Sequence, residues 1–555
     1  MNGNGYLRPR GVEDEIYSCT SLRMPRTEAS PSSELPEPQT GSADSSSSHN
    51  ASSHPSDSIS SARFTSNHWI YLLLFTIIAT VVRFWEVGTW SVWVDEAFTY
   101  RDVTASWEDF METGTSRYPL SFMLVRAISS VMGLAPHELS ETVMRLPFVL
   151  FGIASVPALA LVARGMVGRR AALLAALFLS ISPWHIYWSQ NARSYSMMLF
   201  TGLLAMGATY HGYQRRSWPL LVAAVALFLL SGLSHPSSYV VVASALVYLL
   251  IAAVLEKGSG SKASKWGPPT VLVLLAIIVV LSLGPLQRAW AVKEPEVSLL
   301  HLLETVSFYV GIPVLVAAAG GMVSLFERGE RSALFLTCMV VLPLLCLSVL
   351  ASIAMQKVSA QYAFAILPAL YILAAYLVIS LVQVFPSLGL RALILRSIPL
   401  GMVVLHMLGQ DFLYFKKEYG WRPRWSEAVQ YVVETQVKYH EDRELRVLTT
   451  NESSVKYYID RMSKGTVDPN SLVQSIEDFE MARHGGPASF LQKRIDEAKS
   501  LNHDLWVILT EPVLDEKDDE AKADIFLRAN FHQLRRLPNW TGPKDMVLLI
   551  YYLEY

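Results

Sequence analysis

Residues 69–100 read WIYLLLFTIIATVVRFWEVGTWSVWVDEAFTY, and the change of character inside this stretch decides the fold. Positions 69–82 carry no charge, and with their continuation to Val87 they match the length of a helix that crosses a bilayer, about 20 residues. Then come three tryptophans, Trp85, Trp90 and Trp93, and two adjacent carboxylates, Asp95 and Glu96. An apolar span that opens directly into an aromatic, acidic loop is the expected profile of a membrane helix reaching a membrane surface. Similar uncharged runs recur at 218–230 and 270–283.

Composition extends the reading to the whole chain. Of 555 residues, 52% are in the AVILMFWYC set and 17% are charged, against roughly 25% charged in soluble domains. From Lys416 onward lie 20 of 46 Lys+Arg and 24 of 48 Asp+Glu, so the charge is concentrated at the C-terminal end. A net charge of −2 offers no basic field for nucleic acid, and no nucleic-acid partner is expected. Three cysteines (Cys19, Cys338 and Cys346) make no disulfide framework. Between Gly41 and Ser61, 11 of 21 residues are Ser. Residues 1–66 therefore read as a disordered cytoplasmic tail, because they cannot bury enough apolar area to offset the entropy of ordering. No cleavable signal peptide is expected ahead of the first apolar run.

The stretch 119–134 decides the topology. It is apolar but short, and it contains Arg126. Read as an amphipathic interfacial helix rather than a span, it leaves eleven spans: 69–87, 143–163, 171–187, 194–212, 218–233, 237–255, 268–286, 303–325, 332–354, 360–382 and 397–415. The inner loops then hold twelve Lys or Arg and the short outer loops four, as the positive-inside rule requires. The expected fold is a polytopic α-helical membrane protein of about 11 transmembrane helices. It has interfacial helices in a long first outer loop, 88–142, within a catalytic region 67–415. A small extracytoplasmic α/β domain, 416–555, follows. In that domain 425–437 reads as a helix started by Ser426, and 445–450, 455–459, 505–510 and 546–553 read as strands.

Several polar groups fall at one membrane surface in this topology: Asp95 and Glu96, Arg117 and Tyr118, Arg145, Asn191, Arg193 and Tyr195, His235, and Lys357 with Gln361 and Tyr362. Singly, each reads as an aromatic-belt or snorkelling residue. Together, acids, cations and a His beside hydrocarbon are costly unless they serve a ligand. Arg and Lys around an anionic phosphate account for the set, with one acid as general base or metal ligand. Residue pattern alone leaves three rivals open. A transporter or lipid flippase predicts repeated helix sets and ionisable groups at mid-bilayer. A polysaccharide polymerase or ligase uses a polyprenyl-diphosphate donor. A non-catalytic anchor would not need eleven spans.

An ordered set of motifs resembles the GT-C superfamily of polyprenyl-phosphate-sugar-dependent glycosyltransferases, in the branch of protein O-mannosyltransferases, aminoarabinose transferases and lipopolysaccharide-core transferases. The pieces are Trp93-Val-Asp95-Glu96, Tyr118-Pro119-Leu120, Arg145-Leu-Pro147, Gly168-Arg169-Arg170, Ser182-Pro183, Asn191-Ala-Arg193-Ser-Tyr195, Tyr362 with Leu367-Pro368, and Gly420-Trp421-Arg422. They cover about 69–435. The resemblance implies Asp95, or else Glu96, as catalytic acid residue. It implies donor phosphate near Arg193, Lys357, His235 and Tyr362, and acceptor or loop support from Arg117, Tyr118, Arg145, Asn191 and Tyr195. The implied partners are a polyprenyl-phosphate-linked sugar, membrane lipid, and an acceptor glycan, lipid or protein. The implied location is the plasma (inner) membrane. Two departures stand out: Arg117-Tyr118-Pro119 where the family has His-Pro-Pro or Lys-Pro-Pro, and Gln361 where it has Arg or His. A metal stays open, since paired carboxylates can hold a divalent ion and a cationic clamp makes one dispensable. Asn451-Glu-Ser and Asn539-Trp-Thr are glycosylation sequons.

Overall fold

The computed structural model of the protein describes residues 64–110, 119–258, 299–352, 358, 360–384, 390–416, 422–440, 442–476, 487–510, 522–538 and 547–553. The Ser-rich tail up to residue 63, the expected span 268–286, Arg117, Tyr118, Lys357 and the Asn539 sequon lie outside them.

Among the described residues the first part of the chain is built of helices. In order come α1 (Ser66–Phe84), α2 (Val94–Thr104), α3 (Trp107–Asp109), α4 (Pro119–Met132), α5 (Glu141–Val167), α6 (Arg169–Ser180), α7 (Pro183–Ser189), α8 (Tyr195–Gln214), α9 (Trp218–Ser234) and α10 (Ser238–Gly258). After these come α11 (Leu299–Val310), α12 (Ile312–Glu327), α13 (Ser332–Ser352), α14 (Leu367–Val384) and α15 (Leu390–Lys416). Among the described residues six helices are long and apolar enough to cross a membrane, or eight if each of two bent pairs is one span. This is an integral membrane protein. The expected span 171–187 is one such pair: α6 and α7 meet at 59°, broken at Ser182-Pro183, where proline cannot continue a helix.

That break explains a buried charge. Arg83, fully inside the protein, donates to Leu179 O at 2.9 Å and Ser180 O at 2.9 Å, carbonyls at the last turn of α6. In a membrane such carbonyls need a protein partner, and α1 supplies it. Close helix contact elsewhere uses small residues. A Cβ on Gly321 of α12 would lie 1.9 Å from Leu373 O of α14.

The short apolar helix α4 owes its Arg to α2. Arg126 Nη1 donates to Ala105 O at 3.0 Å and Val103 O at 3.3 Å, and its guanidinium lies over Trp107 and Phe110, 5.2 Å from each ring centre. The charge closes the C-terminal end of α2, as the helix dipole favours.

The charged C-terminal region builds a five-stranded sheet from β1 (Glu444–Thr449), β2 (Val473–Ser475), β3 (His503–Thr510), β4 (His532–Leu537) and β5 (Leu548–Tyr552), in the order β2-β1-β3-β5-β4. β1 runs parallel to β2 and β3, with Val447 opposite Trp506, and β5 is antiparallel to β3 and β4. Helices α16 (Trp425–Tyr439), α17 (Glu452–Met462), α18 (Pro487–Leu501) and α19 (Lys522–Asn530) accompany it. Both sheet faces are covered, which is why 505–510 is apolar at every position but the last. Val447, Trp506, Ile508 and Ile550 share a core with Val92, Ala97 and Tyr100 of the first loop, whereas Val507, Leu509 and Leu549 pack with Phe490 and Leu527.

Two local expectations are corrected. Residues 455–459 are helix, not strand: Asn451 caps α17 by accepting from Ser454 N–H, and Val455, Tyr458 and Ile459 are buried at helical spacing. Ser426 does not cap α16, which begins at Trp425; its N–H donates instead to Ser91 Oγ at 3.2 Å. Strands β2 and β4 were not expected, being short or largely polar.

Candidate active site

The site is assembled where the start of α2 meets the linker 190–194 between α7 and α8. Asp95 and Glu96 both lie in the first turn of α2, where the helix dipole favours carboxylates. Successive helical residues diverge by about 100°, and the two acids meet different surroundings.

Glu96 is buried and saturated. Arg145 Nε donates to Oε1 at 2.8 Å and Arg145 Nη2 to Oε2 at 2.7 Å, while Ala192 N–H donates to Oε1 at 2.7 Å. The remaining Arg145 donors reach Val87 O at 2.7 Å, Trp90 O at 2.9 Å and Ser91 O at 3.2 Å. A guanidinium has five N–H groups, and here all five are used. Burial alone would raise the Glu96 carboxyl, but the charges of Arg145 and Arg422 and the hydrogen bonds outweigh it and hold it below the ordinary range. The pair locks the first loop onto α5 and onto the linker.

Asp95 is different. Its side chain is 30% exposed, and its carboxylate stands 3.7 Å from Arg193 Nε, with no other side-chain partner among the described residues. Arg193 Nη1 also donates to Asp95 O at 3.3 Å. The neighbouring contacts hold the two segments in register: Thr99 Oγ1 donates to Ala192 O at 3.0 Å, and Trp93 Nε1 to Asn191 Oδ1 at 3.2 Å. Asn191 is fully buried, and its Nδ2 finds no acceptor among the described residues.

A line of rings leads away from the acids. Trp93 is 6.4 Å from Trp188, Trp188 is 4.0 Å from Tyr195, Tyr195 is 4.5 Å from His235, and His235 is 5.9 Å from Tyr362. His235 Nδ1 accepts from Ser237 N–H at 3.1 Å, which assigns the ring proton to Nε2. Burial, reinforced by the charge of Arg193, pushes this imidazole down to about 3, so it is neutral at physiological pH. The structure thus brings Asp95, Glu96, Arg145, Asn191, Arg193, Tyr195, His235 and Tyr362 into one neighbourhood. Among the described residues no three His, Cys, Asp or Glu side chains converge as a metal site.

Two residues of this neighbourhood had no role in the sequence reading. Gln190 Nε2 donates to Trp85 O at 2.6 Å and Arg83 O at 3.2 Å, while its Oε1 accepts from Tyr414 at 2.8 Å. It ties the ends of α1 and α15 together, which places those ends at one membrane surface. Arg422, 4% exposed, donates to Gln190 O at 2.8 Å. Its position just after a motif tryptophan was visible; its partner was not.

The comparisons agree with this architecture. A family model described as dolichyl-phosphate-mannose-protein mannosyltransferase matches residues 119–283, a stretch that includes Arg145, Asn191, Arg193 and His235 but not Asp95. No curated protein sequence matches. Similar solved structures include the apo oligosaccharyltransferase of Archaeoglobus fulgidus, at 13% identity, 86% of this chain, 74% of that chain and TM-score 0.55. The oligosaccharyltransferase AglB from the same organism, in complex with an inhibitory peptide and a dolichol-phosphate, gives 12%, 87%, 74% and 0.51. ArnT from Cupriavidus metallidurans, bound to undecaprenyl phosphate, gives 13%, 88%, 98% and 0.50. At such identities the likeness is one of architecture alone: a helical membrane fold shared with these lipid-dependent transferases.

Proposed function

We propose that this protein is a membrane glycosyltransferase that moves a sugar from a polyprenyl-phosphate donor to an acceptor hydroxyl at the extracytoplasmic face. The observation that carries the proposal is the division between the two acids. Glu96 is fully engaged in an ion pair, while Asp95 stands part-exposed at the same helix start, beside one cation among the described residues.

Asp95 accepts the proton of the acceptor hydroxyl as its oxygen attacks the anomeric carbon. The bond from that carbon to the phosphate oxygen breaks, and the electron pair leaves with the phosphate. Arg193 stabilises the departing phosphate electrostatically, as preorganised cations do at developing negative charge, so no acid is required for the leaving group. Attack from the side opposite the phosphate inverts the anomeric centre. Neutral His235, with Nε2 as donor, and Tyr362 line the route by which the donor phosphate reaches Arg193. Lys357 joins Arg193 in the cationic clamp in this reading, and Arg117 supports the acceptor or the loop. The dolichol-phosphate and undecaprenyl phosphate in two of the similar structures support a polyprenyl-phosphate carrier.

In the same reading the N-terminus is cytoplasmic and the protein sits in the plasma membrane. Residues 67–415 form the catalytic region, and 416–555 form an extracytoplasmic domain capping the first loop. An impermeant thiol reagent should label single cysteines placed at Trp107 and Asp442 and spare one at Lys262; the reverse pattern removes the site from the outer face. For the reaction, mass analysis should find a glycan or glycolipid that is lost without the protein, restored by wild type and not restored by Asp95→Asn. Full restoration by a normally expressed Asp95→Asn protein would end the general-base assignment.

A further inference from the structure

A cleft of about 520 Å³ lies beside the first loop, away from Asp95. It is lined by Glu86, Trp90 and Ser91 beyond α1, Lys416 at the end of α15, and Arg422 and Arg424 ahead of α16. Arg422 is the feature that ordinary packing does not explain. It is 4% exposed and its guanidinium lies 5.3 Å from the Tyr187 ring centre. Nη2 reaches Gln190 O, yet Nε and Nη1 have no acceptor among the described residues. The indole N–H of Trp90, on the wall of the same cleft, is likewise buried with no acceptor there. Buried donors are nearly always satisfied, and an orphaned charged donor is costly. Three such N–H-bearing atoms on one cleft call for an acceptor that carries negative charge.

The charge of the cleft agrees. Glu427 at its edge is already held by Arg424 Nη2 at 2.5 Å and Arg535 Nη2 at 2.8 Å. Glu96, whose charge also reaches Arg422, is already paired with Arg145. Among the described residues that line the cleft, Glu86 is therefore the one carboxylate left to oppose Lys416 and Arg422. The position chooses the source of the anion. Gln190 places the ends of α1 and α15 together at one membrane surface, and of the six long apolar helices among the described residues these two are the least buried inside the protein, at 17% each. Their outer faces are apolar up to the mouth of the cleft, with Val81, Phe84 and Trp85 on one helix and Leu405, Leu408 and Phe412 on the other exposed. A soluble phosphate uses none of that surface; an anionic phospholipid uses all of it.

We infer that this cleft binds the phosphate of an anionic membrane phospholipid, with Arg422, Trp90 and Lys416 as its donors and the acyl chains along α1 and α15. The site is distinct from the donor site at Arg193, His235 and Tyr362. Its floor is the Trp90–Ser91 segment that Arg145 holds, so the lipid braces the loop that carries Asp95.

The test is native mass spectrometry and thermal denaturation of the full-length protein, transferred from detergent into nanodiscs of phosphatidylcholine with or without phosphatidylglycerol. Phosphatidylglycerol should raise the melting temperature and remain bound to wild type. Arg422→Gln should weaken that binding by roughly tenfold or more, the loss of a charge-assisted contact, and Arg422→Lys should restore part of it. Lys416→Gln and Trp90→Phe, which leave the contact with Gln190 in place, should each weaken binding and decide the matter should Arg422→Gln not fold. Arg193→Gln should leave phosphatidylglycerol binding intact. Inorganic phosphate in phosphatidylcholine discs should give no shift; a shift equal to that of the lipid would overturn the lipid assignment in favour of a soluble phosphate. Undiminished phosphatidylglycerol binding in Lys416→Gln and Trp90→Phe would overturn the site.

Discussion

The surroundings of Glu96 and those of Asp95 are one residue apart in sequence and opposite in physical design. Around Glu96 everything is closed: two guanidinium donors and one backbone N–H bind the carboxylate, the other three guanidinium donors are spent on carbonyls, and the side chain has no exposure. Around Asp95 one cation stands at 3.7 Å and the side chain keeps 30% of its exposure. A buried pair of this kind fixes geometry and leaves no capacity for a substrate proton. A half-open carboxylate beside a cation keeps that capacity. In the proposed reading, two adjacent carboxylates are divided into scaffold and reagent by the direction in which a helix turns.

Breaking the reagent should have the largest effect. Asp95→Asn keeps shape and removes basicity, so transfer should fall by roughly 10²–10⁴-fold while melting temperature and donor binding stay close to wild type. A steady-state assay following polyprenyl phosphate release measures the first, and calorimetry the second. A large loss of stability in Asp95→Asn would mean that the two regions are not divided as stated.

Breaking the scaffold should look different. Glu96→Gln leaves Arg145 buried with its partner's charge gone, a class of change worth about 3–5 kcal/mol. The expected outcome is a lower melting temperature and yield, with activity per folded molecule reduced less than in Asp95→Asn. The acid limb sharpens the contrast. Glu96 is held below its unfolded carboxyl value, so its contribution is complete above the ordinary carboxylate range and is lost as pH falls through the lowered folded value. Thermal denaturation across that acid window should fall steeply for wild type and more gently for Glu96→Gln. Equal slopes would remove Glu96 from the scaffold.

The cation beside Asp95 comes next. Arg193→Ala should raise the donor concentration needed for half-maximal rate by roughly ten- to a hundredfold, the worth of a charge-assisted hydrogen bond at about 1.5–3 kcal/mol, with little change in acceptor dependence. An equal rise for donor and acceptor would turn Arg193 into a support for Asp95 rather than a phosphate ligand.

How much of this was readable follows from what sequence encodes locally. Apolar runs and their flanking charge marked the helices, because hydrocarbon tolerates little else. The Trp93-Val-Asp95-Glu96 turn and Asn191-Ala-Arg193 marked the neighbourhood, because polar groups beside hydrocarbon are expensive. What pattern does not carry is partnership across distance. Nothing near Arg83 announces that it serves carbonyls of α6 nearly a hundred residues away, and nothing near Gln190 announces the ends of α1 and α15. Residues 455–459 misled for a related reason: Val-Lys-Tyr-Tyr-Ile suits strand or helix equally, and the Asn451 cap together with burial against the first loop settled it as helix. The polar strand β4 had no period-two signal to find.

The smallest effect tests how the two regions are joined. Trp93 precedes α2 directly, and its indole N–H donates to Asn191 Oδ1 at 3.2 Å, linking the helix start that carries Asp95 to the linker that carries Arg193. Trp93→Phe keeps an apolar ring against Trp188 and removes only that donor, a change of about 1 kcal/mol. Because the Glu96–Arg145 lock and the Thr99 contact with Ala192 remain, the fold should hold and the melting temperature should shift little. The distance between Asp95 and Arg193 is less well fixed without it, so transfer should slow by roughly fivefold, about that energy read as a barrier, with donor requirement almost unchanged. Asn191→Ala removes the acceptor of the same bond and should slow transfer to the same extent, and the double variant should be no slower than either. If the two losses instead multiply, Asn191 contributes through its buried amide on its own account, and the coupling of helix to linker rests on the contacts of Thr99 with Ala192, Ala192 with Glu96 and Arg193 with Asp95.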